Sequence, residues 1–304
     1  SEGNKRRMQA CGHDAHTAIL LTVAKMLTEM EDRPAGEIRL LFQPSEEKWR
    51  DDGHSGGSLM VEQKAADGLD AVIALHVAST DPAGTVSITP GNALAAVDTF
   101  EATIIGEGTH GAAPHNGLDP IWIQAQVINA IQAIRSRRLD PTTASVITVG
   151  SIHAGVAPNV IPNEVEITGT IRSYTEEVRE TQHKLLEEAL SLSRVFGGDY
   201  TLKISRGYPS MYNDPDVAEL MRQVSVDLIG EKNTQEGQPG MGAEDFSYMA
   251  QQAPGTMIML GAKFDDMNRP HHSPIFDIDE SAFHVGAAML AESAIRLLKQ
   301  KAES

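Results

Sequence analysis

The sequence holds a single cysteine, Cys11. No intramolecular disulfide can form, so Cys11 acts as a thiol or as a small apolar side chain. Positive charge is scarce: 25 Lys and Arg stand against 42 Asp and Glu, a formal net charge of −17. Phosphate backbones are gripped by Lys and Arg, so nucleic acid is excluded as a partner. Most of this acidity reads as a solvated surface, although a bound cation would find the field favourable. No stretch approaches the roughly twenty apolar residues of a membrane span, and no membrane association is expected. Ser1–Arg7 is polar and basic, with no apolar segment behind it. No signal peptide is therefore expected, and a cytoplasmic location is. Internal repeats, low-complexity runs and long flexible linkers are also missing.

A chain of 304 residues exceeds what one compact core usually holds, so two domains are expected. In the first part, Leu20, Val23, Ala24 and Leu27 follow helical spacing from just after Asp14. Ile38–Gln43, ended by Pro44, and Ala71–Leu75 read as buried strands, with helical spacing between them over Gly57–Ala66. Strand, helix, strand predicts a parallel βαβ unit. The middle changes character. Val97–Ile105 alternates as a strand; Asp119–Arg138 is helical, with Asp119 able to cap and Pro120 at the first helical position. Ser145–Ser151 and Glu164–Ile171 read as strands, Thr175–Phe196 as a helix and Tyr200–Ser205 as a strand. This β-α-β-β-α-β order is the ferredoxin-like pattern, a small α+β domain inserted into a larger α/β one. Beyond it, Pro215–Ile229 and Ser281–Lys299 read as helices and Thr256–Leu260 as a buried strand. The expected domains are 1–93 with 209–304, and the insert 94–208.

The residues with chemistry fall near predicted strand ends and a helix start. Cys11 and His13 precede the first helix. Glu46 and Glu47 follow the segment ending at Gln43, His76 follows Ala71–Leu75, and His272 lies beyond Thr256–Leu260. In an open parallel sheet, residues beyond the carboxyl ends of strands converge on one edge. Thiolate, imidazole and carboxylate together suit zinc or manganese. Each residue also has a plain structural reading: a buried small hydrophobe, a solvated pair, a ring bonded to a backbone carbonyl. Their joint placement favours a site. Paired carboxylates have a further logic, since one can bind metal while its neighbour takes the proton of the attacking water.

The motifs CGHDAHT (11–17), FQPSEE (42–47), ALHV (74–77), GTHGAAPH (108–115), NVIP (159–162), GTIR (169–172), GAEDF (242–246) and HHSPIFDIDE (271–280) occur in one order along nearly the whole chain. Jointly the set resembles the M20 metallopeptidase family. More narrowly it resembles the amidohydrolase branch, which includes hippurate hydrolases, N-acyl-amino-acid amidohydrolases and auxin-conjugate hydrolases. The resemblance implies a zinc-peptidase-like α/β/α catalytic domain and an inserted lid that dimerises. It implies two divalent metal ions, Mn2+ or Zn2+, on Cys11, His13, Glu47, His76 and His272, with Glu46 as general acid/base. It implies that His110 of the lid reaches the site of a second copy, and that Asn159 and Arg172 hold the substrate. A guanidinium at a strand end also suits bidentate carboxylate recognition on its own chemistry; a surface salt bridge is its plainer reading.

Among competing histidines, His272 directly precedes Ser-Pro and is preferred to His271; glycine-flanked His110 is preferred to His115. His54, His153, His183 and His284 read as surface or structural. Relatives carry a substantial segment before the Cys-Gly-His motif that nothing here matches, so part of the catalytic domain is expected to be missing. Lys48–Asp52 replaces a glycine-rich stretch and is expected to affect substrate choice. The activity implied is hydrolysis of the amide bond of N-acyl-amino acids or related conjugates. A dipeptidase or carboxypeptidase of the same architecture, and an inactive metal-binding dimeric protein, stand beside it.

Overall fold

The structure is a computed structural model that describes residues 8–47, 49 and 53–303. The expectations attached to Ser1–Arg7 and to Lys48–Asp52, Trp49 apart, lie outside the described residues. In chain order the elements are α1 (His13–Glu29), α2 (Gly56–Glu62), β1 (Val72–Pro82), β2 (Val86–Ile88), β3 (Gly91–Leu94), β4 (Ala96–Ile105), β5 (Thr109–His110), α3 (Pro120–Ala133), β6 (Ser145–Ala154), β7 (Val160–Ile161), β8 (Glu164–Ser173), α4 (Glu176–Val195), β9 (Asp199–Arg206), β10 (Met211–Asn213), α5 (Pro215–Ile229), β11 (Thr234–Glu236), α6 (Ser247–Ala250), β12 (Gly255–Lys263) and α7 (Phe283–Glu303). The chain forms two compact units. One comprises residues 1–93, 212–239 and 245–304; the other comprises 94–211 and 240–244.

The first unit carries a four-stranded mixed sheet in the order β1-β12-β2-β11. β1 and β12 run parallel, whereas β2 is antiparallel to β12. Helix α1 buries Ala15, Ile19, Val23 and Leu27, one stripe at helical spacing. The buried face is thus turned slightly from the one read in the sequence, with Leu20 and Ala24 half-buried beside it. This stripe joins Leu75, Val77, Ile258 and Leu260 of the sheet and Val285, Met289 and Ile295 of α7 in one core. Asp214 caps α5 by accepting from the N–H groups of Asp216 and Val217, with Pro215 at the first helical position.

The expected parallel βαβ unit over 38–75 does not form. Ile38–Gln43 takes no regular secondary structure and pairs with no strand among the described residues, and β1 pairs with β12 instead. Ile38 and Leu40 still pack on the core. The segment is thus neither paired nor buried: its residues are half-buried or exposed, Phe42 at 44%, because apolar composition supplies neither a covering layer nor the hydrogen-bonding partner that makes a strand.

The second unit is β-α-β-β-α-β with an antiparallel sheet in the order β6-β8-β4-β9, the ferredoxin-like arrangement. Helices α3 and α4 cover one face and bury Ile123, Val127, Ile131, Leu186 and Leu190 against Phe100, Ile104, Ile167 and Ile171. Asp119 caps α3 and Thr175 caps α4. The expected helix to Arg138 is α-helical only to Ala133 and finishes as a π turn over Ile134–Arg138. A buried ionic knot ties the unit together. Asp98 accepts from Arg179 Nε (2.8 Å) and Nη2, from the Gly207 N–H (2.9 Å), and pairs with His183 Nε2 (2.6 Å). These bonds hold the Asp98 carboxyl well below the usual carboxylate range, although burial alone would raise it. No helix among the described residues is long and apolar enough to cross a membrane.

Candidate metal centre and active site

The start of α1 is set by one glycine. Gly12 has φ 99°, a left-handed conformation that side chains rarely tolerate. A Cβ there would lie 2.4 Å from Val77 Cγ2. Only glycine lets the helix start press onto β1, and that approach delivers Cys11 and His13 to His76. Cys11 Sγ lies 3.4 Å from His76 Nε2. The His76 Nδ1–H donates to the Val77 carbonyl at 2.7 Å, which leaves Nε2 as the nitrogen free to bind a cation. Burial then holds the ring neutral, its pKa lowered to about 4. His76 does not follow a strand end as read in the sequence. β1 continues to Pro82, because pairing to β12 persists through His76, Val77 and Ala78.

Glu46 and Glu47 sit at the end of the arm that begins with Ile38–Gln43, held by residues distant in sequence. Asp245, fully buried, accepts from Gln43 Nε2 (2.5 Å) and from the Gly57 N–H (2.8 Å). A Cβ at Gly57 would strike the Asp245 backbone carbonyl at 2.7 Å, and one at Gly56 the Pro44 carbonyl at 1.5 Å. These glycines let α2 close on the arm. Burial pushes the Glu46 carboxyl up to about 7, helped by the charges of Glu47 and Asp245. Burial acts on Glu47 in the same sense but is outweighed. A hydrogen bond from Cys11 and the charges of His272 and His13 bring Glu47 below its ordinary value.

The two adjacent histidines diverge. His272 has φ 58° and donates its backbone N–H to the Ala10 carbonyl at 2.7 Å. Its Nε2 lies 2.9 Å from Glu47 Oε1. His271 turns the other way, and its Nε2 accepts the Ser79 N–H at 3.1 Å. His13 Nε2 stands 3.7 Å from Glu46 Oε2 and 3.9 Å from Glu47 Oε1.

Among the described residues of the first unit, three overlapping sets place their ligand atoms within 4.8 Å of one another: Cys11, His13 and His76; Cys11, Glu47 and His272; His13, Glu46 and Glu47. All five sequence-predicted ligands and Glu46 thus meet in one place. A thiol, three imidazoles and two carboxylates fit zinc or manganese. Cys11, His13 and Glu47 each belong to two of these sets. Three residues that sequence reasoning gave no role also shape this place: His16, His271 and Asp245. His16 and Asp245 lie inside the CGHDAHT and GAEDF motifs, so the motifs were the available signal.

The remaining predicted residues lie in the second unit and do not form one cluster. His110 is exposed on β5, and its Nδ1 accepts the Ala112 N–H at 3.0 Å. Asn159 is beside it, its carbonyl accepting the Gly111 N–H at 2.8 Å. Both lie past the Ile105–Glu164 end of the sheet. Arg172 is half-buried near the other end of β8, opposite Val97 and Val146. At about 3.3 Å per residue, the strand from Glu164 to Arg172 spans roughly 25 Å. His115 is exposed in a short helical turn over Pro114–Asn116.

The geometry agrees with the comparisons with known proteins. The family described as Peptidase family M20/M25/M40 matches residues 1–296. The chain belongs to this family. It is 37% identical over 293 residues to thermostable carboxypeptidase 1 of Saccharolobus solfataricus, covering 95% of this chain and 73% of that protein. It is 38% identical over 302 residues to the N-acetyl-L-cysteine deacetylase of Bacillus subtilis, covering 99% and 70%. In structure it is similar to a protein of methicillin-resistant Staphylococcus aureus, with TM-score 0.87, 33% identity and coverage of 97% and 75%. It is also similar to a Bacillus subtilis protein described as a dinuclear metal binding peptidase of the family, with TM-score 0.79, 27% identity and coverage of 96% and 74%.

Proposed function

We propose that this M20-family chain is an amidohydrolase that cleaves the amide bond of N-acyl-amino acids or related conjugates, with Glu46 as the general base. The observation that carries the reading is the meeting of Cys11, His13, Glu47, His76 and His272 around a carboxyl, Glu46, raised to about 7. Those five residues would hold two divalent ions, Mn2+ or Zn2+. When bound, such ions polarise the scissile carbonyl and acidify the attacking water. Glu46 takes the proton of that water and returns it to the leaving amine; a pKa near neutrality suits both halves of that task. Asp245 holds the arm that carries Glu46 through Gln43 and Gly57.

Substrate recognition falls to the second unit, a lid. Arg172 would pair with the free carboxylate and His110 would stabilise the developing oxyanion, with Asn159 adding a neutral hydrogen bond. Arg172 stands roughly 25 Å along β8 from the His110–Asn159 end, far longer than an amino-acid conjugate. A homodimer accounts for this, with one copy supplying Arg172 and the other His110 and Asn159.

The carboxypeptidase relative favours a second reading, removal of a C-terminal residue from peptides. The test is turnover by the chain reconstituted with Mn2+ or Zn2+, measured on N-acyl-amino acids beside free dipeptides and N-blocked dipeptides. Faster cleavage of N-acyl-amino acids is expected. Faster cleavage of peptides moves the assignment to the carboxypeptidase, and turnover of neither class makes the chain a metal-binding protein without hydrolase activity.

A further inference from the structure

β1 lies at the edge of its sheet among the described residues. The Val72 N–H bonds to the Pro254 carbonyl beside β12. Backbone direction alternates along a strand, so the N–H groups of Val77 and Ser79 point away from β12. Both residues are buried, at 0% and 1% exposure. A buried N–H without an acceptor is costly, so an acceptor must come from somewhere other than a strand. Two imidazoles supply it. His16 Nε2 accepts the Val77 N–H at 3.0 Å, and His271 Nε2 accepts the Ser79 N–H at 3.1 Å.

These two bonds flank one particular carbonyl. Val77 C=O is the acceptor for the His76 Nδ1–H, the bond that leaves His76 Nε2 facing Cys11. The rings also pack on His76, their centroids 4.5 Å (His16) and 5.4 Å (His271) from its own. We propose that His16 and His271 are positioning residues: they act as surrogate strand acceptors that pin the β1 backbone on both sides of the Val77 carbonyl, and so fix the tautomer and the aim of His76.

The role requires that each ring present an unprotonated Nε2. It also explains the paired histidines of HHSPIFDIDE as a division of labour, His272 toward Glu47 and His271 toward the strand. The inference rests on the reading of His76 as a metal ligand, and its test is built to separate the two.

The first arm needs no metal. Amide hydrogen exchange is followed at Val77 and Ser79 in the metal-free chain for the wild type, His16→Ala, His271→Ala and the matching Gln variants. Gln keeps an acceptor at about the reach of Nε2. His16→Ala should speed exchange at Val77 by tenfold or more, His271→Ala should do the same at Ser79, and Gln should restore most of the protection. The second arm measures cobalt(II) binding by chelator competition, together with the thiolate-to-cobalt absorption. Each Ala variant should bind about 10–100-fold more weakly, the loss typical for partners that orient a metal ligand. It should also show a shifted band, with Gln recovering both.

Unchanged exchange in the Ala variants overturns the clamp whatever the cobalt does. Lost protection with wild-type cobalt affinity and spectrum overturns the positioning role. A wild-type chain that takes up no cobalt removes the metal-centre reading and the positioning role with it, while the exchange arm still decides whether the two imidazoles hold the strand.

Discussion

His272 Nε2 lies 2.9 Å from Glu47 Oε1, across a sequence separation of 225 residues. The contact joins the arm after Gln43 to the loop after β12, both held by the first unit's own core. Both side chains are open to solvent, at 65% and 46% exposure, so as an ion pair the contact contributes little to stability. Its value lies in placing a carboxylate and an imidazole beside Cys11. His272→Asn, which tolerates the left-handed backbone, should change the stability of the metal-free chain by no more than about 0.5 kcal/mol. It should also reduce the equivalents of Mn2+ or Zn2+ retained after gel filtration. Retention equal to wild type would show that His272 is not a ligand.

The helix start at Gly12 gives a stability prediction with an internal control. Gly12→Ala meets both a positive φ and the Val77 methyl at 2.4 Å, whereas Gly84, at φ 79°, has nothing within 4 Å of an added Cβ. Gly84→Ala should cost about 1 kcal/mol from backbone strain alone. Gly12→Ala should cost about 1–3 kcal/mol more from overpacking. Urea denaturation of the metal-free proteins measures both, and equal losses would show that α1 does not need its close approach to β1.

Much of this was legible in the sequence. Asp119-Pro120 marks the start of α3, because capping and proline at the first turn are local effects. Alternation over Val97–Ile105 and Glu164–Ile171 likewise gave the strands of its sheet. The failures were non-local. Ile38–Gln43 has the composition of a buried strand, yet pairing depends on what lies beside it. His76 seemed to follow a strand because Val77–Pro82 is less apolar than Ala71–Leu75, while β12 extends the ladder regardless. His16 carries no reading of its own in the sequence and His271 only yields to His272 as a ligand, since nothing in the residue pattern marks a ring that accepts a backbone N–H from a strand far along the chain.

The Asp98 knot predicts an acid-sensitive second unit. Its carboxyl is depressed in the folded chain, so its stabilisation is fully present above the unfolded value of about 3.9. That stabilisation is lost as pH falls below this value toward the folded one. Asp98→Asn should cost roughly 3–5 kcal/mol at pH 7, since it leaves buried Arg179 with only the solvent-exposed Glu176, at 3.5 Å, as a charge partner. It should also flatten the loss of stability between about pH 4 and pH 2. Chemical denaturation across that range checks it; parallel acid limbs for wild type and variant would contradict the assignment.

Arg172 predicts substrate preference. Losing a charge-assisted hydrogen bond costs about 1.5–3 kcal/mol, or more than tenfold in kcat/KM. Arg172→Ala should slow an N-acyl-amino acid by that factor and its C-terminal amide far less. Equal penalties on the two substrates would make Arg172 a structural residue of the second unit.

The most direct measurement is turnover of an N-acyl-amino acid by wild type and Glu46→Gln, each loaded with Mn2+ or Zn2+ and assayed with its metal content determined on the same sample. With Glu46 as the proposed base, the variant should retain close to the wild-type metal content while kcat falls by about 10²–10⁴. Near-normal turnover at full metal content would contradict the account.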